Sequence, residues 1–352
     1  MHDSKAIDRY HRQRILPCMG DAGQASLARS HVLLIGVGAL GCQVADLLVR
    51  AGVGRLTCID RDVVELTNLQ RQTLFCEADA TERLPKVHAA LRRLNAINSQ
   101  VRVDAIAADF SARNALDLVR AVDSASTPHL LIDGTDNFET RYLINDVSVK
   151  LGVPYIYGGV IGTRAMAMAL RSTPDAPCLR CVFPDPPPPG SQPTCDSAGV
   201  LGAAVVAAAA WQVALATRVL TGHAPEVVEL HDGDLWSGSW RTIRVTREPE
   251  CPCCGSTPRF EFLEQINEQA ITLCGSGAFQ VWPGVKGTRL DLAQLAARLA
   301  AAGDVRSSPF MVRFNACHEA VELSIFTDGR AIVKGVEDVA AARGAYARYI
   351  GS

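Results

Sequence analysis

The 352-residue chain has no excess of basic residues: 35 Lys and Arg stand against 37 Asp and Glu, a formal net charge of −2. No global basic field therefore favours a nucleic-acid partner. The N-terminal run Met1-His2-Asp3-Ser4-Lys5 lacks the apolar core of a signal peptide, so a cytoplasmic chain is expected. Long aliphatic runs are scarce as well. Val200 to Thr217 is nearly all apolar, but it is alanine-rich and broken by Gln212. Alanine is a weak insertion signal and no second span accompanies this one, so a buried core helix is expected and no membrane partner. Hydrophobic residues make up 48% and charged residues 20%, a globular balance that excludes disorder. In a reducing compartment the 12 cysteines are expected to serve metal binding or catalysis and not a disulfide framework. The length suits one large domain and a smaller one, placed here at 1–255 and 256–352.

What is present begins with the stretch from Val32 to Lys86. An apolar run, Val32-Leu33-Leu34-Ile35, leads into Gly36-Val37-Gly38-Ala39-Leu40-Gly41, then a helical pattern from Cys42 to Ala51, then Leu56-Thr57-Cys58-Ile59-Asp60. This reads as strand, glycine turn, helix, strand, carboxylate. The 24-residue step from Gly36 to Asp60 is close to that of a dinucleotide fold between phosphate turn and ribose-binding acid. Gly36, Gly38, Ala39 and Gly41 let a phosphate approach the helix N-terminus, although a plain strand–helix turn uses the same residues. The fold class is α/β: a Rossmann-like, mostly parallel sheet flanked by helices, with a small C-terminal α+β domain.

After Asp60 the chain runs through a polar loop carrying Asp62, Asn68 and Arg71, and reaches Lys86 after Pro85. Two cations and an amide beside a phosphate turn suit a triphosphate better than a nicotinamide dinucleotide. An NAD-dependent oxidoreductase is the rival that the glycine turn and Asp60 alone allow. A non-catalytic scaffold of the same fold is the other. Further on, a strand ends in Asp133-Gly134-Thr135-Asp136-Asn137, where such sheets bind ligands. Asp136 is either a magnesium ligand or a helix N-cap.

Two Cys-x-x-Cys pairs, Cys178/Cys181 and Cys251/Cys254, make a four-thiolate zinc set, with Cys253 as an extra thiol. Two redox motifs are the alternative. A proline-rich arm, Pro184 to Pro193, leads to Cys195, just ahead of the alanine-rich helix. A helix N-terminus favours a thiolate there, against an inert free cysteine as the plain reading.

The run Asp60-x-Asp62-x-Val64-x-x-x-Asn68-Leu69-x-Arg71-Gln72 resembles the ubiquitin-activating (E1-like) superfamily, in particular its ThiF/MoeB-type adenylyltransferases. The resemblance covers about Arg9 to Gly255. It implies ATP-dependent adenylation of the C-terminal glycine of a small ubiquitin-like sulfur-carrier protein ending in Gly-Gly, in thiamine or molybdopterin biosynthesis. By it, Asp60 holds the ribose, while Asp62, Asn68, Arg71, Lys86 and Asn137 complete the ATP site with Asp136 on Mg²⁺. Arg12, in Arg9-Tyr10-His11-Arg12-Gln13, would otherwise read as a solvated helix face. The resemblance makes it a phosphate ligand in the neighbouring subunit, hence a homodimer. Cys178, Cys181, Cys251 and Cys254 hold structural Zn²⁺. Cys195 receives the activated carrier or its sulfur, with a sulfur-donor protein as a further partner.

Beyond Gly255 the pattern changes. Ile271 to Trp282 is strand-like, Leu290 to Ala302 helical, and Val321 to Gly335 a hairpin with an Asp-Gly turn at Asp328-Gly329. Asp338 to Tyr349 is helical. This module has no cysteine in a tight anion-binding loop, so a sulfurtransferase of the rhodanese type is not expected; Cys274 and Cys317 read as structural.

Overall fold

A computed structural model of the chain describes residues 8–121, 127–171, 173–186, 198–264, 270–273, 278–283 and 288–351. It forms two compact units, Met1–Gln265 and Ile266–Ser352. Cys195 and most of the proline-rich arm lie outside the described residues, as does Cys274.

The first unit is built on an eight-stranded sheet. Its order is β3 (Arg102–Ala107), β2 (Arg55–Asp60), β1 (His31–Ile35), β4 (Leu130–Asp133), β5 (Tyr155–Ile161), β6 (Arg164–Leu170), β7 (Glu229–Asp234), β8 (Ser239–Arg244). The first five strands are parallel and the last three antiparallel. β1 is buried throughout and feeds both faces. Val32 and Leu34 join one core with helices α3 (Ala39–Ala51), α5 (Lys86–Ile97) and α8 (Gly202–Leu220). Leu33 and Ile35 join a second core with α6 (Ala115–Ala121) and α7 (Phe138–Leu151). Alternation along one strand thus supplies two helix layers. The strand order reverses between β1 and β4, which opens a crevice at their carboxyl ends.

In α3 the buried Leu40, Val44, Ala45, Leu48 and Val49 recur at helical spacing and face the sheet. The alanine-rich segment is α8, long and apolar enough by length and composition to cross a membrane. Here it is a core helix packed on α3, β5 and β6. Its polar interruption has a use: Gln212 is fully buried and its Nε2 donates to the Asp133 carbonyl at 2.8 Å. This bond ties α8 to the end of β4.

The stretch 256–264, grouped from sequence with the C-terminal module, packs on the first unit. It carries α9 (Glu261–Glu264), where Phe262 lies 4.9 Å from the Tyr142 ring and its N–H donates to Asp146 Oδ2 at 2.9 Å.

The second unit is a six-stranded antiparallel sheet in the order β11 (Gly303–Ser307), β12 (Met311–Ala316), β13 (Glu322–Phe326), β14 (Ala331–Lys334), β10 (Ala278–Val281), β9 (Ala270–Leu273). Helices α10 (Leu292–Leu299) and α11 (Val339–Tyr349) share a core with it. The expected hairpin is present, with Ile325 opposite Ala331. The strand-like run from Ile271 to Trp282 is instead two strands, β9 and β10, paired antiparallel. Apolar content reads the same for one strand or a hairpin, and only pairing separates them.

Candidate functional site

The crevice between β1 and β4 is lined by Gly36, Gly38, Ala39, Asp60, Asp62, Arg71, Lys86, Asp136 and Asn137, all expected there. The glycine turn is close-packed. Gly36 has φ +89°, and a Cβ on it would lie 2.7 Å from the Gly134 carbonyl carbon. A Cβ on Gly41, which does not line the cleft, would overlap the Gly36 carbonyl oxygen. Only glycine allows this turn to lie against the β4 loop and leave the start of α3 open.

Asp60 ends β2, 9% exposed, and both its oxygens accept backbone N–H groups: Val37 at 2.6 Å and Asp62 at 2.8 Å. Burial raises its pKa, and the Lys86 charge opposes that rise. Lys86 is the first residue of α5 and lies 24 positions beyond Asp62. A bridge between Val63 and Pro85 and the bond from Lys86 N to the Asp62 carbonyl at 2.9 Å bring the two together. Lys86 Nζ then donates to Asp62 Oδ2 at 2.9 Å. Burial works against its charge, but Asp62 and Asp60 outweigh burial and hold its pKa above the ordinary lysine value.

Asp136 is exposed, and no side chain among the described residues bonds to it. The N-cap of α7 is Asn137, whose Oδ1 accepts from Glu139 N at 2.8 Å. The capping alternative for Asp136 therefore falls to its neighbour, and the carboxylate stays open to the cleft. Asp133 is buried beneath, accepting Arg141 Nε at 3.1 Å and the Thr135 hydroxyl at 2.7 Å. Arg141 also donates to the Thr135 carbonyl, so this pair holds the loop that presents Asp136.

Arg71 is half-buried at the cleft and donates to the Thr67 carbonyl at 3.1 Å. Asn68 is not part of the lining; its Oδ1 accepts from Glu65 N at 3.0 Å. Arg12 lies on α1 (His11–Arg14), exposed and away from the lining. Sequence reasoning gave no role to Arg61, Gln72, Asp109 or Phe110, all of which line the cleft. Arg61 pairs with Asp109 at 3.0 Å. Gln72 is 4% exposed, and its Oε1 has no hydrogen-bond partner among the described residues. Arg61 and Gln72 sit inside the very motif run quoted above, which was the available signal; Asp109 and Phe110 follow β3 and carry none.

The four cysteines converge. The sulfurs of Cys178, Cys181, Cys251 and Cys254 all lie within 4.8 Å of one another, with Cys178–Cys251 at 3.6 Å and Cys181–Cys254 at 3.5 Å. A tetrahedral ion with bonds of about 2.3 Å needs sulfurs about 3.8 Å apart, so this donor set fits zinc. Shared hydrogen bonds divide the thiols: those with Cys178 and Cys254 lower the Cys181 pKa, while the pKa values of Cys178 and Cys254 are raised. Cys253 packs beside Cys178 and Cys251 but is not one of the four converging sulfurs; Asn145 Nδ2 donates to its sulfur at 3.2 Å, and its thiol donates to Asp146 Oδ1 at 3.3 Å. Asn145 Oδ1 also accepts Leu179 N at 2.8 Å, so α7 grips both cysteine loops.

Residues 10–253 match the family model described as the ThiF family. The chain is 38% identical over 347 residues to the sulfur carrier protein ThiS adenylyltransferase of Bacillus subtilis, covering 97% of this chain and 99% of that one. That match takes in the second unit. The chain is 41% identical over 258 residues to the sulfur carrier protein adenylyltransferase of Thermus thermophilus, covering 72% and 92%. A crystal structure of E. coli MccB with MccA-N7isoASN superposes with a TM-score of 0.61 at 20% identity, covering 72% of this chain and 76% of that one, and shows the shared fold. The matched residues carry the glycine turn, Asp60, Lys86, Asp136 and three of the four clustered cysteines, and on these grounds the chain belongs to the ThiF family.

Proposed function

We propose that the protein uses ATP to adenylate the C-terminal glycine carboxylate of a small ubiquitin-like sulfur-carrier protein of the ThiS class, and then passes the acyl group on to a thiol or sulfur nucleophile. The observation that carries this reading is the convergence of Arg71, Lys86 and the uncapped Asp136 on the open N-terminus of α3. Cations beside free helix N–H groups accept a polyphosphate, and a carboxylate left without a cap offers the oxygen that magnesium prefers. A nicotinamide site has no use for that set.

Asp60 keeps lone pairs for the ribose hydroxyls while its backbone bonds fix its orientation. The carrier carboxylate is ionised at neutral pH and attacks the α-phosphate without a general base. Pyrophosphate leaves. Lys86 and Arg71 stabilise the charge that builds on the transferring group. Asp136 would hold Mg²⁺, which would supply further charge neutralisation there. Zinc, held by Cys178, Cys181, Cys251 and Cys254, would staple two chain segments 70 residues apart. Cys195 is assigned to the step after pyrophosphate release, on its position between the proline-rich arm and α8. Arg12 is assigned to the cleft of a second copy, so the active form is a homodimer. Carrier-dependent ATP–pyrophosphate exchange tests the reading across a panel of carriers ending in Gly-Gly. Absence of exchange with every carrier, from folded and zinc-loaded protein, would defeat it.

A further inference from the structure

Asp136, the carboxylate proposed above for Mg²⁺, stands three residues beyond the end of β4. The way that strand leaves the sheet sets where the carboxylate lies. β4 has a neighbour on either side, and its two ladders stop at different residues. Pairing with β1 runs to Ile35 opposite Asp133. Pairing with β5 stops one residue earlier, at Ile132 opposite Ile156, although β5 itself continues to Ile161 in its ladder with β6. In a parallel ladder the next bond would run from Gly158 N–H to the Asp133 carbonyl.

The Gln212 amide takes the place of that bond. Its Nε2 donates to the Asp133 carbonyl at 2.8 Å and lies 3.4 Å from the Ile156 carbonyl. A Cβ on Gly158 would lie 2.3 Å from the same nitrogen, so the amide is packed on the bare Cα of the residue whose N–H it replaces. Released from β5, the chain turns toward the glycine turn. Gly134 N donates to the Ile35 carbonyl at 2.7 Å, and a Cβ on Gly134 would lie 2.2 Å from the Gly36 carbonyl oxygen. Gln212 is fully buried in an otherwise apolar stretch of α8, and its Oε1 has no hydrogen-bond partner among the described residues. A half-satisfied buried amide costs stability, and an apolar side chain would fill a core helix without that cost. Folding alone therefore gives no reason for an amide here; what it holds does.

We infer that Gln212 is a positioning residue for the nucleotide site: its amide stands in for the last ladder bond between β4 and β5, parts the two strand ends, and sends Gly134, Thr135 and Asp136 into the cleft. The inference rests on the reading of Asp136 as the Mg²⁺ ligand. Arg141 holds the loop from one side, through Asp133 and the Thr135 carbonyl, and Gln212 holds its root. Without the amide, the Asp133 carbonyl is free to accept Gly158 N–H, the ladder closes by one bond, and the loop is drawn toward β5. Arg71, Lys86 and the start of α3 keep their places, so nucleotide without metal binds as before.

The test is the affinity for α,β-methylene-ATP, measured by calorimetry on zinc-loaded protein with and without added Mg²⁺. This analogue is not cleaved at the reacting bond, so the result depends on neither carrier nor turnover. Mg²⁺ should strengthen binding to the unaltered chain. Gln212→Met keeps the side-chain length and loses the amide; it should cut that gain about tenfold and keep the affinity without Mg²⁺ within about twofold. Gly158→Ala, whose Cβ displaces the amide, should do the same. The buried Leu215, on the same helix, controls for stability alone: Leu215→Ala should lower the melting temperature and leave the Mg²⁺ gain unchanged. If Gln212→Met fails to fold by circular dichroism, Gln212→Asn, with the amide withdrawn by one methylene, replaces it. A full Mg²⁺ gain in folded Gln212→Met and Gly158→Ala, with the gain lost in Asp136→Ala, would overturn the positioning role and leave the Asp136 reading intact. A full gain in Asp136→Ala as well would overturn both. A loss of equal size in Leu215→Ala would reduce Gln212 to one more core residue.

Discussion

Replacing Lys86 with methionine keeps most of the side-chain volume and deletes one charge from the cleft. The Lys86 side chain is 9% exposed and pairs with Asp62 at 2.9 Å. Its charge also faces Asp60 and Asp136. Without it, those carboxylates would confront the phosphates unscreened. One preorganised cation aimed at developing charge contributes on the order of 3 kcal/mol, or about a hundredfold in rate. Carrier-dependent pyrophosphate exchange should fall by about that factor in Lys86→Met. Stability should fall too, but modestly. Asp62 is 44% exposed and regains water, so the loss should be about 1–2 kcal/mol and not the 3–5 kcal/mol of a fully buried pair. Arg71 supplies the contrast. It bonds a backbone carbonyl and pairs with no carboxylate among the described residues. Arg71→Ala should slow exchange to a similar degree while changing stability by less than about 0.5 kcal/mol. Cys195→Ser should leave exchange nearly untouched, because its thiol acts after pyrophosphate has left, and should abolish any reducible link to the carrier. The reasoning is refuted if Lys86→Met retains full exchange, or if a folded, zinc-loaded Cys195→Ser protein loses exchange as severely as Lys86→Met.

Metal analysis should find about one zinc per chain, since one four-thiolate set binds one ion. Cys251→Ser should lose it and destabilise the protein, whereas Cys253→Ser should keep it; the opposite pattern would move the ligand from 251 to 253. Arg12→Ala and Asp136→Ala chains, each inactive alone, should recover activity when mixed, since one of the two heterodimer sites is intact; no recovery despite confirmed subunit exchange would place Arg12 outside the partner's site. His31 is 4% exposed, with Nε2 on the Thr57 hydroxyl at 3.0 Å, and burial lowers its pKa to about 4. The unfolded chain therefore binds a proton that the folded chain refuses between about pH 6.5 and 4. Stability should be complete above that window and fall by on the order of 3 kcal/mol as pH drops through it. His31→Gln should flatten this part of the profile in denaturant titrations, and an unchanged slope would assign the loss to other groups.

Much of the site was legible in the sequence because its signals are local. The step from a glycine turn through one helix to Asp60 is a run within a single strand–helix–strand unit, and its spacing is fixed by the lengths of those elements. Each Cys-x-x-Cys pair announces itself in four residues. The alanine-rich segment read as a core helix because alanine is a weak insertion signal and no second span accompanies it, although its length and overall apolarity would suit a span. Tertiary structure decided whatever depended on partners remote in the chain. Lys86 reaches Asp62 only because the Val63–Pro85 bridge folds the intervening loop back. Asn137, and not Asp136, caps α7, since the choice between adjacent side chains is made by backbone direction at the helix start. Cys251 enters the thiol cluster while Cys253 turns to Asn145 and Asp146, although both spacings are short enough to be drawn in. Gln212 looked like a flaw in an apolar helix until the sheet placed the Asp133 carbonyl opposite it. A pattern within one element survives in sequence because the chain's own geometry sets it; a contact between elements exists only once strand order and helix packing have chosen which residues meet.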